Sequence, residues 1–113
     1  MPTSSSRGDI VIVAAPGNYG KAQPAVVVQT DGLPESHASV VLCQLTSDIA
    51  EAADFRVTIG ADLETGLRNR SQIMVDKPVT IRRERVGRRI GRLRAAEIAR
   101  LNTALAFVMG LAD

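Results

Sequence analysis

Residues 7–29, RGDIVIVAAPGNYGKAQPAVVVQ, decide the fold. Residues 10–15 and residues 25–28 are continuous apolar runs rich in β-branched side chains, a pattern typical of strands that are buried on both faces. The segment between them, PGNYGKAQP, holds two glycines, two prolines and an asparagine, which predicts a loop. Because a rigid sheet that presents a polar loop is a common way to build a site, we expect this loop to carry functional side chains.

Outward from this stretch, the apolar pattern predicts further strands at residues 39–45 (SVVLCQL), 55–59 (FRVTI) and 72–77 (QIMVDK). Pro78 is expected to end the last of these, because proline cannot donate to a strand ladder. A shorter strand is predicted at residues 88–91, inside an arginine-rich connection.

Helices are predicted in two places. Residues 49–53 form a candidate short helix, since the preceding Thr46, Ser47 and Asp48 are all good N-cap residues. A longer helix begins at Ala95 and is expected to stop near Gly110. Its apolar stripe consists of Ile98, Leu101, Leu105 and Val108, widened by Ala104, Phe107 and Leu111.

About five short strands and one terminal helix predict a mainly β fold with a C-terminal α-helix, of the α+β type, in which the helix covers one face of a small curled sheet. At 113 residues the chain is long enough for one domain, which we place at residues 7–113 behind a frayed tail at residues 1–6. A second exposed apolar face would favour dimerisation, since a small domain gains core in that way.

The composition excludes several classes of function. No apolar run reaches the ~18 residues of a membrane span, and the N-terminus has no apolar segment of the kind found in signal peptides. The single Cys43 excludes an internal disulfide and suits a reducing cytoplasm; within the run VVLC we interpret it as a buried small hydrophobe. One cysteine and one histidine cannot build a zinc site of the usual type, so no metal or other cofactor is expected.

Positive charge is concentrated in one segment. Residues 77–94 have a net charge of +7, which leaves −5 on the rest of a chain whose total is +2. Clustered arginines suit phosphate binding, because the guanidinium fork matches phosphate geometry. The alternatives are an acidic protein partner and a solvated basic face that serves solubility alone.

The ordered set of motifs resembles the PemK/MazF-type toxins of bacterial type II toxin–antitoxin systems. RGDIV opens the first strand, and Pro24-Ala25-Val26-Val27-Val28 closes the loop in the manner of the family's RPAVV. Leu45-Thr46-Ser47 ends the third strand, and MVDKPVTIRRERVGRRIGRL is similar to a further family element that precedes the closing helix. The resemblance covers roughly residues 7–112.

The resemblance implies an SH3-like barrel of the CcdB/PemK type that works as a homodimer in the cytoplasm. It implies a metal-independent, sequence-specific endoribonuclease that cuts single-stranded mRNA by attack of the 2′-OH, leaving a 2′,3′-cyclic phosphate and a 5′-OH. The implied partners are the RNA substrate and an acidic, partly disordered antitoxin. Operator DNA is a further implied partner, bound through the toxin–antitoxin complex.

Four residues are expected to serve catalysis, in a chain whose one histidine cannot supply the usual acid–base pair. Lys21 in the loop would stabilise phosphate charge. Arg68, with Arg70, is the nearest replacement for the arginine that would serve as the acid in family members and whose place Met74 takes here. Thr46 matches the family threonine, although a helix cap is an equally sound interpretation of it. Asp76 matches the family aspartate. Because a lone carboxylate is a poor base at its usual pKa of about 4, we favour a structural or substrate-orienting role for it.

Six further residues are expected to contact RNA, by base stacking for Tyr19 and by hydrogen bonds or charge for the others. They are Tyr19, Gln23, Ser47, Arg70, Arg82 and Arg83.

Two positions depart from the family pattern. Gln23 and Met74 stand where many members have arginine, and glutamine can bond a phosphate but cannot neutralise it. These departures leave two alternatives open: a catalytically weak RNA- or protein-binding relative, and a CcdB-like gyrase poison of the same fold. Met109-Gly110-Leu111 resembles the C-terminal end on which such poisons rely, without its tryptophan.

Overall fold

The computed structural model describes residues 5–14, 21–51 and 54–112. They form six strands and one α-helix. The strands are β1 (Asp9–Val13), β2 (Gln23–Val27), β3 (Ser39–Thr46), β4 (Arg56–Ile59), β5 (Ser71–Arg82) and β6 (Val86–Arg92), and α1 (Ala95–Val108) closes the chain. A single 3₁₀ turn, Arg83–Arg85, joins β5 to β6.

All six strands belong to one antiparallel sheet with the order β4-β5-β3-β2-β1-β6. The opening stretch pairs with itself as predicted, with Ile10 opposite Val26 and Val13 opposite Gln23. The predicted fold class, mainly β with a C-terminal helix, is confirmed.

Both faces of the sheet are apolar, which explains why the opening runs are continuous rather than alternating. Ile10, Val26 and Cys43 lie in the cluster that α1 covers with Leu101 and Ala104. Their chain neighbours form a second cluster on the opposite face, made of Val11, Val13, Ala25, Val27, Val40, Leu42 and Ile81. The prediction of strands buried on both faces is confirmed, and so is the buried, unpaired Cys43.

The two ends of the sheet approach each other through the loop at residues 60–70. The amide of Arg92 on β6 donates to the carbonyl of Glu64 in this loop (2.9 Å). A β-carbon at Gly66 would overlap the carbonyl of Ile90, and one at Gly91 would overlap the carbonyls of Thr65 and Glu64. Gly66 also has a φ of +70°, which only glycine adopts at no steric cost. The curl of the sheet therefore depends on two glycines.

Pro78 does not end β5, contrary to the prediction. The strand runs from Ser71 to Arg82 and pairs Pro78 with Cys43 of β3. On the other side, β4 pairs with β5 only from Ser71 to Met74. The second half of β5 thus lies at an edge of the sheet, where a missing N–H is tolerated.

The short helix predicted at residues 49–53 is wrong for the part that the structure describes. Residues 47–51 form a bend, and residues 52 and 53 lie outside the described residues. The hydroxyl of Thr46 accepts a hydrogen bond from the amide of Asp48, two residues further on. This pattern is a local side-chain turn and not a helix cap. The side chain of Gln72 binds both backbone groups of Ala50, and this contact competes with helical hydrogen bonds.

The C-terminal helix is confirmed, and it ends before Gly110, whose φ is +74°. Leu101 and Ala104 are buried, but Phe107 is 47% exposed and Leu111 is 80% exposed. These two side chains do not widen the buried stripe as predicted, because the sheet lies under the other side of the helix. No helix among the described residues has the length and apolar character to cross a lipid bilayer.

Candidate active site

A groove of about 490 Å³ runs between the start of β2, the end of β3, the loop at residues 60–70 and β6. We call it the Thr46 groove. Its apolar floor is built from Ile12, Leu45, Leu67 and Ile90. Its polar lining consists of Gln23, Thr46, Ser47, Arg68, Asn69, Ser71 and Arg88. None of the described residues that line it is acidic, so both of its charged groups, Arg68 and Arg88, are cations.

Thr46 and Ser47 enter the groove because β3 ends there. Thr46 pairs with Gln72 of β5 and is half-buried, whereas Ser47 is exposed. The segment that follows is held by the buried side chain of Gln72. Its Oε1 accepts the amide of Ala50 (2.9 Å), and its Nε2 donates to the carbonyl of Ala50 (2.9 Å) and to the hydroxyl of Thr58 (3.2 Å). This three-bond contact fixes how the chain leaves Thr46.

Arg68 enters the groove from the opposite wall, on a loop that is ordered by its own polar groups. Thr65 is fully buried, and its hydroxyl donates to the carbonyl of Gly60 (2.8 Å). The carboxylate of Asp62 accepts the amides of Glu64 and Thr65. The pKa of Asp62 is lowered, first by the amide of Thr65 and further by the guanidinium of Arg94. These hydrogen bonds hold the backbone of the loop from which Arg68 projects.

Lys21 and Gln23 come from the chain just before β2. Gln23 lines the groove, as does Ala22, so the exposed Lys21 stands one residue away from its rim. Tyr19, which we expected to stack on a base, lies outside the described residues. Of the ten predicted site residues, the groove brings together Gln23, Thr46, Ser47 and Arg68.

The structure does not bring Asp76 into the groove. Its carboxylate faces Arg56 of β4, with 3.4 Å between Oδ1 and Nε. Asp76 lies four residues beyond Gln72 on β5, roughly 13 Å along an extended strand, and this spacing separates it from Thr46. It also lies close to Cys43, whose pKa is raised to about 12 by burial and, to a smaller extent, by the charge of Asp76.

The predicted RNA-binding arginines are spread over different surfaces. Arg70 is exposed, two residues beyond Arg68 on the same loop. Arg82 pairs with Ser39 at the far end of β5, and Arg83 donates to the carbonyl of His37 (2.8 Å). Arg82 and Arg83 thus lie at the opposite end of a 12-residue strand from Ser71, which lines the groove.

Arg88 is the charged residue of the described groove lining that the sequence analysis did not name as a site residue. It was one of eight cations in residues 77–94, and nothing in composition separates it from the others. Alternation along β6 is the signal that could have found it, since Arg88 shares a face with Ile90 and therefore points toward the groove, unlike its neighbour Arg89. Among residues 5–14, 21–51 and 54–112, no group of three or more His, Cys, Asp or Glu side chains is arranged to hold a metal ion.

Comparisons with known proteins agree with this architecture. Residues 6–109 match the family model of the PemK-like, MazF-like toxins of type II toxin–antitoxin systems. The chain is 36% identical over 107 residues to a probable endoribonuclease MazF of Mycolicibacterium smegmatis, covering 94% of this chain and 97% of that protein.

Solved structures show the same fold at lower identity. The toxin MazF-mt6 of Mycobacterium tuberculosis superposes with a TM-score of 0.78 at 24% identity, over 90% of this chain and 96% of that one. An endoribonuclease in complex with its cognate antitoxin, from a mycobacterial species, gives 0.79 at 21% identity over 96% and 97% of the two chains. The family match spans most of the chain and the relative spans nearly all of it, so the chain belongs to the PemK-like, MazF-like toxins of type II toxin–antitoxin systems, as the resemblance predicted.

Proposed function

We propose that this protein is the toxin of a type II toxin–antitoxin system and acts as an endoribonuclease that cuts single-stranded mRNA at specific short sequences without a metal ion. The observation that carries the proposal is the Thr46 groove, in which hydroxyls, two side-chain amides and two arginines converge with no acidic residue among the described lining. A groove with this lining favours a polyanion and supplies donors for its phosphates.

The reaction that suits these groups is transesterification within the RNA strand. The 2′-oxygen attacks the neighbouring phosphorus and forms a new P–O bond, while the bond from phosphorus to the 5′-oxygen breaks. The 2′-OH loses its proton and the leaving 5′-oxygen gains one, so the products are a 2′,3′-cyclic phosphate and a 5′-OH. The protein must orient the attacking oxygen, balance the charge that develops on phosphorus, and assist the proton transfers.

Each group of the groove suits one of these tasks. The Thr46 hydroxyl is held in place by the turn to Asp48 and by the Gln72 contact next to it, and it donates to a phosphate oxygen. Arg68 balances the developing charge from the opposite wall. Lys21 adds a mobile positive charge at the rim, and Gln23 and Ser47 supply hydrogen bonds to phosphate or base edges.

Asp76 takes a structural part in this proposal. Its partner Arg56 and its position outside the groove suit a carboxylate that holds β4 to β5 rather than one that removes the 2′ proton. The only histidine, His37, is exposed and lies near Ser39 at the other end of β3 from Thr46. Proton transfer therefore rests with Thr46, the cations of the groove and water.

The partners follow from family membership and from the surface. We propose a homodimer, because Phe107, Met109 and Leu111 expose apolar surface at the C-terminal end of the helix. Met109 and Leu111 also line an apolar cavity of about 480 Å³ together with Leu33 and Leu105. An acidic, partly disordered antitoxin would cover the arginines of the groove, and operator DNA would bind the toxin–antitoxin complex. All of this suits a protein that works in the cytoplasm.

The test is a cleavage assay of the purified protein on a mixed RNA in the presence of EDTA, with 5′-OH ends mapped by sequencing. Thr46→Val should lower the cleavage rate about 100-fold, the effect of losing one well-placed donor, and Lys21→Ala should lower it about 10-fold. Thr80→Val is the matched control, because Thr80 is an exposed threonine in the second half of β5. It should cut at the wild-type rate.

Three outcomes separate the hypotheses. Wild-type cleavage that both Thr46→Val and Lys21→Ala leave at full rate would discard the proposed site. Absence of cleavage with and without added Mg²⁺ would favour the catalytically weak relative. Trapped DNA cleavage complexes on addition of the protein to gyrase would favour the gyrase poison.

A further inference from the structure

Two arginines of the Thr46 groove have no acidic partner among the described residues. Arg68 and Arg88 are exposed, line the groove from different segments, and form no ion pair with any residue that the structure describes. Two like charges in one groove repel each other, and this repulsion is relieved when an anion binds between them. The groove is thus poised for more than one negative charge.

The closure of the sheet places both arginines at the groove. The backbone of Gly66 packs directly on the carbonyl of Ile90, so the loop and β6 touch at this point. Arg68 lies two residues beyond Gly66, and Arg88 lies two residues before Ile90. Because the contact is between backbones, it anchors the two segments that carry Arg68 and Arg88 side by side, and both side chains line the groove.

Neighbouring arginines are engaged elsewhere. Arg89 approaches the buried carboxylate of Asp9, with 3.5 Å between Nη1 and Oδ1, and Arg83 binds the carbonyl of His37. Arg94 contacts three acids of the loop and the helix. Of the basic residues on β6, Arg88 is the one that lines the groove.

We propose that Arg88 is a substrate-binding residue that holds a backbone phosphate of the RNA beside the phosphate held by Arg68. This inference rests on the proposed function and deepens it. The planar guanidinium offers parallel N–H donors to two phosphate oxygens, and Gln23, at the other side of the groove, donates hydrogen bonds without charge. Arg68 and Arg88 thus supply the groove's neutralising charge, and two successive phosphates of an extended strand can occupy it.

The test uses a fluorescein-labelled single-stranded oligonucleotide of mixed sequence in which every 2′-OH is replaced by hydrogen, so that it binds without being cut. Affinity is measured by fluorescence anisotropy between 50 and 200 mM KCl. For single strands the slope of log K against log salt changes by about 0.7 for each phosphate that a protein neutralises. Arg88→Gln should raise the Kd about 10-fold at low salt and reduce the slope by about 0.7.

Two variants complete the design. Arg85→Gln removes the same charge from the 3₁₀ turn outside the groove and should leave both the Kd and the slope at wild-type values. Arg88→Lys keeps the charge but loses the fork, so it should keep the slope and show an intermediate Kd; it also keeps the test valid if Arg88→Gln folds poorly.

The outcomes distinguish this inference from the proposed function. Equal slopes for Arg88→Gln and Arg85→Gln, or no binding of the oligonucleotide by the wild type, would overturn the role of Arg88. Wild-type binding with the expected change in Arg88→Gln would support that role even if RNA were not cut, a result that would overturn the nuclease alone.

Discussion

Arginines on the two sides of the loop at residues 60–70 are used in opposite ways. On one side, Arg94 places its guanidinium 3.0 Å from Asp62, 3.0 Å from Glu64 and 3.6 Å from Glu97. On the other side, Arg68 projects into the Thr46 groove, which Arg88 also lines and where none of the described lining residues is acidic. Arg94 thus forms ion pairs within the protein, whereas Arg68 and Arg88 have no ion-pair partner among the described residues.

Under the proposed function, the neighbouring acids, and not the arginines themselves, decide which surface is available to RNA. A residue count finds +7 in residues 77–94, but Arg83, Arg89 and Arg94 are all engaged within the protein. The loop connects the two environments, because the contacts of Arg94 and the backbone contact at Gly66 fix the segment that carries Arg68. Changes to the backbone contact between the loop and β6, to the hydrogen bonds of Gln72 and to the ion pairs of Arg94 should therefore have distinct effects.

The largest effect is expected from Gly91→Ala, which disrupts the backbone contact between β6 and the loop at residues 60–70. The new β-carbon would overlap the carbonyls of Thr65 and Glu64, and backbone cannot move aside as a flexible side chain can. We expect a loss of about 3 kcal/mol in the free energy of unfolding, at the upper end of overpacking costs, measured by urea denaturation. RNA cleavage should fall as well, because the segments that carry Arg68 and Arg88 would no longer be held side by side.

Gly60→Ala is the matched control for this change. Gly60 begins the same loop, and the nearest atom to its added β-carbon is an oxygen of the Asp62 side chain at 3.8 Å, an ordinary contact. Its stability should stay within about 0.5 kcal/mol of wild type. An equal loss in the two variants would show that the loop, and not the backbone contact, tolerates no side chain.

The next largest effect is expected from Gln72→Leu, which removes the contact that fixes the chain behind Thr46. The amide and the carbonyl of the exposed Ala50 would lose their protein partner, a cost of about 1 kcal/mol for each hydrogen bond. We expect the cleavage rate to fall more than the KM changes, because Thr46 and Ser47 lose their orientation. Urea denaturation and steady-state kinetics on one RNA substrate measure the two effects.

Gln44→Leu supplies the comparison for Gln72. Gln44 is a partly buried glutamine of β3 whose Nε2 is buried without a hydrogen-bond partner among the described residues. Its replacement should cost less than 1 kcal/mol or stabilise the protein, since an unpaired polar atom is removed. A larger loss at Gln44 than at Gln72 would refute the role assigned to the Ala50 contact.

Arg94→Ala is expected to have a smaller effect, confined to stability. Arg94, Asp62 and Glu64 are exposed, and exposed ion pairs contribute little each. The third partner, Glu97, is buried, but it also accepts the backbone amide of Arg94, and the substitution keeps that hydrogen bond. The melting temperature should fall by less than in Gln72→Leu. The salt slope of oligonucleotide binding should stay unchanged, because this cation is already neutralised; a reduced slope would mean that Arg94 binds RNA and that the comparison of the two environments is wrong.

The smallest effect is a pH dependence that Asp62 carries. Its folded pKa lies below the ordinary 3.8, chiefly through the amide of Thr65 and then through Arg94. The ionised form is therefore favoured by folding, and this contribution is complete above about pH 4 and lost as pH falls from there through the lower folded pKa. Asp62→Asn should flatten the acid limb of a melting-temperature profile, whereas Asp48→Asn, at an exposed bend, should not.

The sequence predicted the fold better than the site, for a physical reason. Apolar periodicity is a local signal, so it located the strands of the opening stretch and the helix that begins at Ala95. Two predictions from single residue types were wrong, the strand end at Pro78 and the helix after the N-cap residues at positions 46–48. There the outcome depends on which strand lies alongside and on the distant side chain of Gln72.

The site depends on such long-range placement throughout. Thr46 matched a motif and Arg68 was the nearest replacement for a missing family arginine, and both do line one groove. Asp76 matched a motif as well as Thr46 did, but it faces Arg56 instead. Arg88 could not be separated from seven other cations until the register of β6 showed which way it points. Composition gives the number of charges, and only the fold shows which of them are paired.

Arg68 and Arg88 pair with no acid among the described residues and are proposed to bind RNA, whereas Arg94 is held by acids of the protein. The arginine Nε–Hε signals in a ¹H–¹⁵N NMR spectrum test this difference directly. On titration with the deoxy-substituted oligonucleotide, the signals of Arg68 and Arg88 should shift in a saturable way and that of Arg94 should stay in place. Shifts at Arg82, Arg83 or Arg94, with Arg68 and Arg88 unmoved, would contradict the account and place the RNA on another face of the protein.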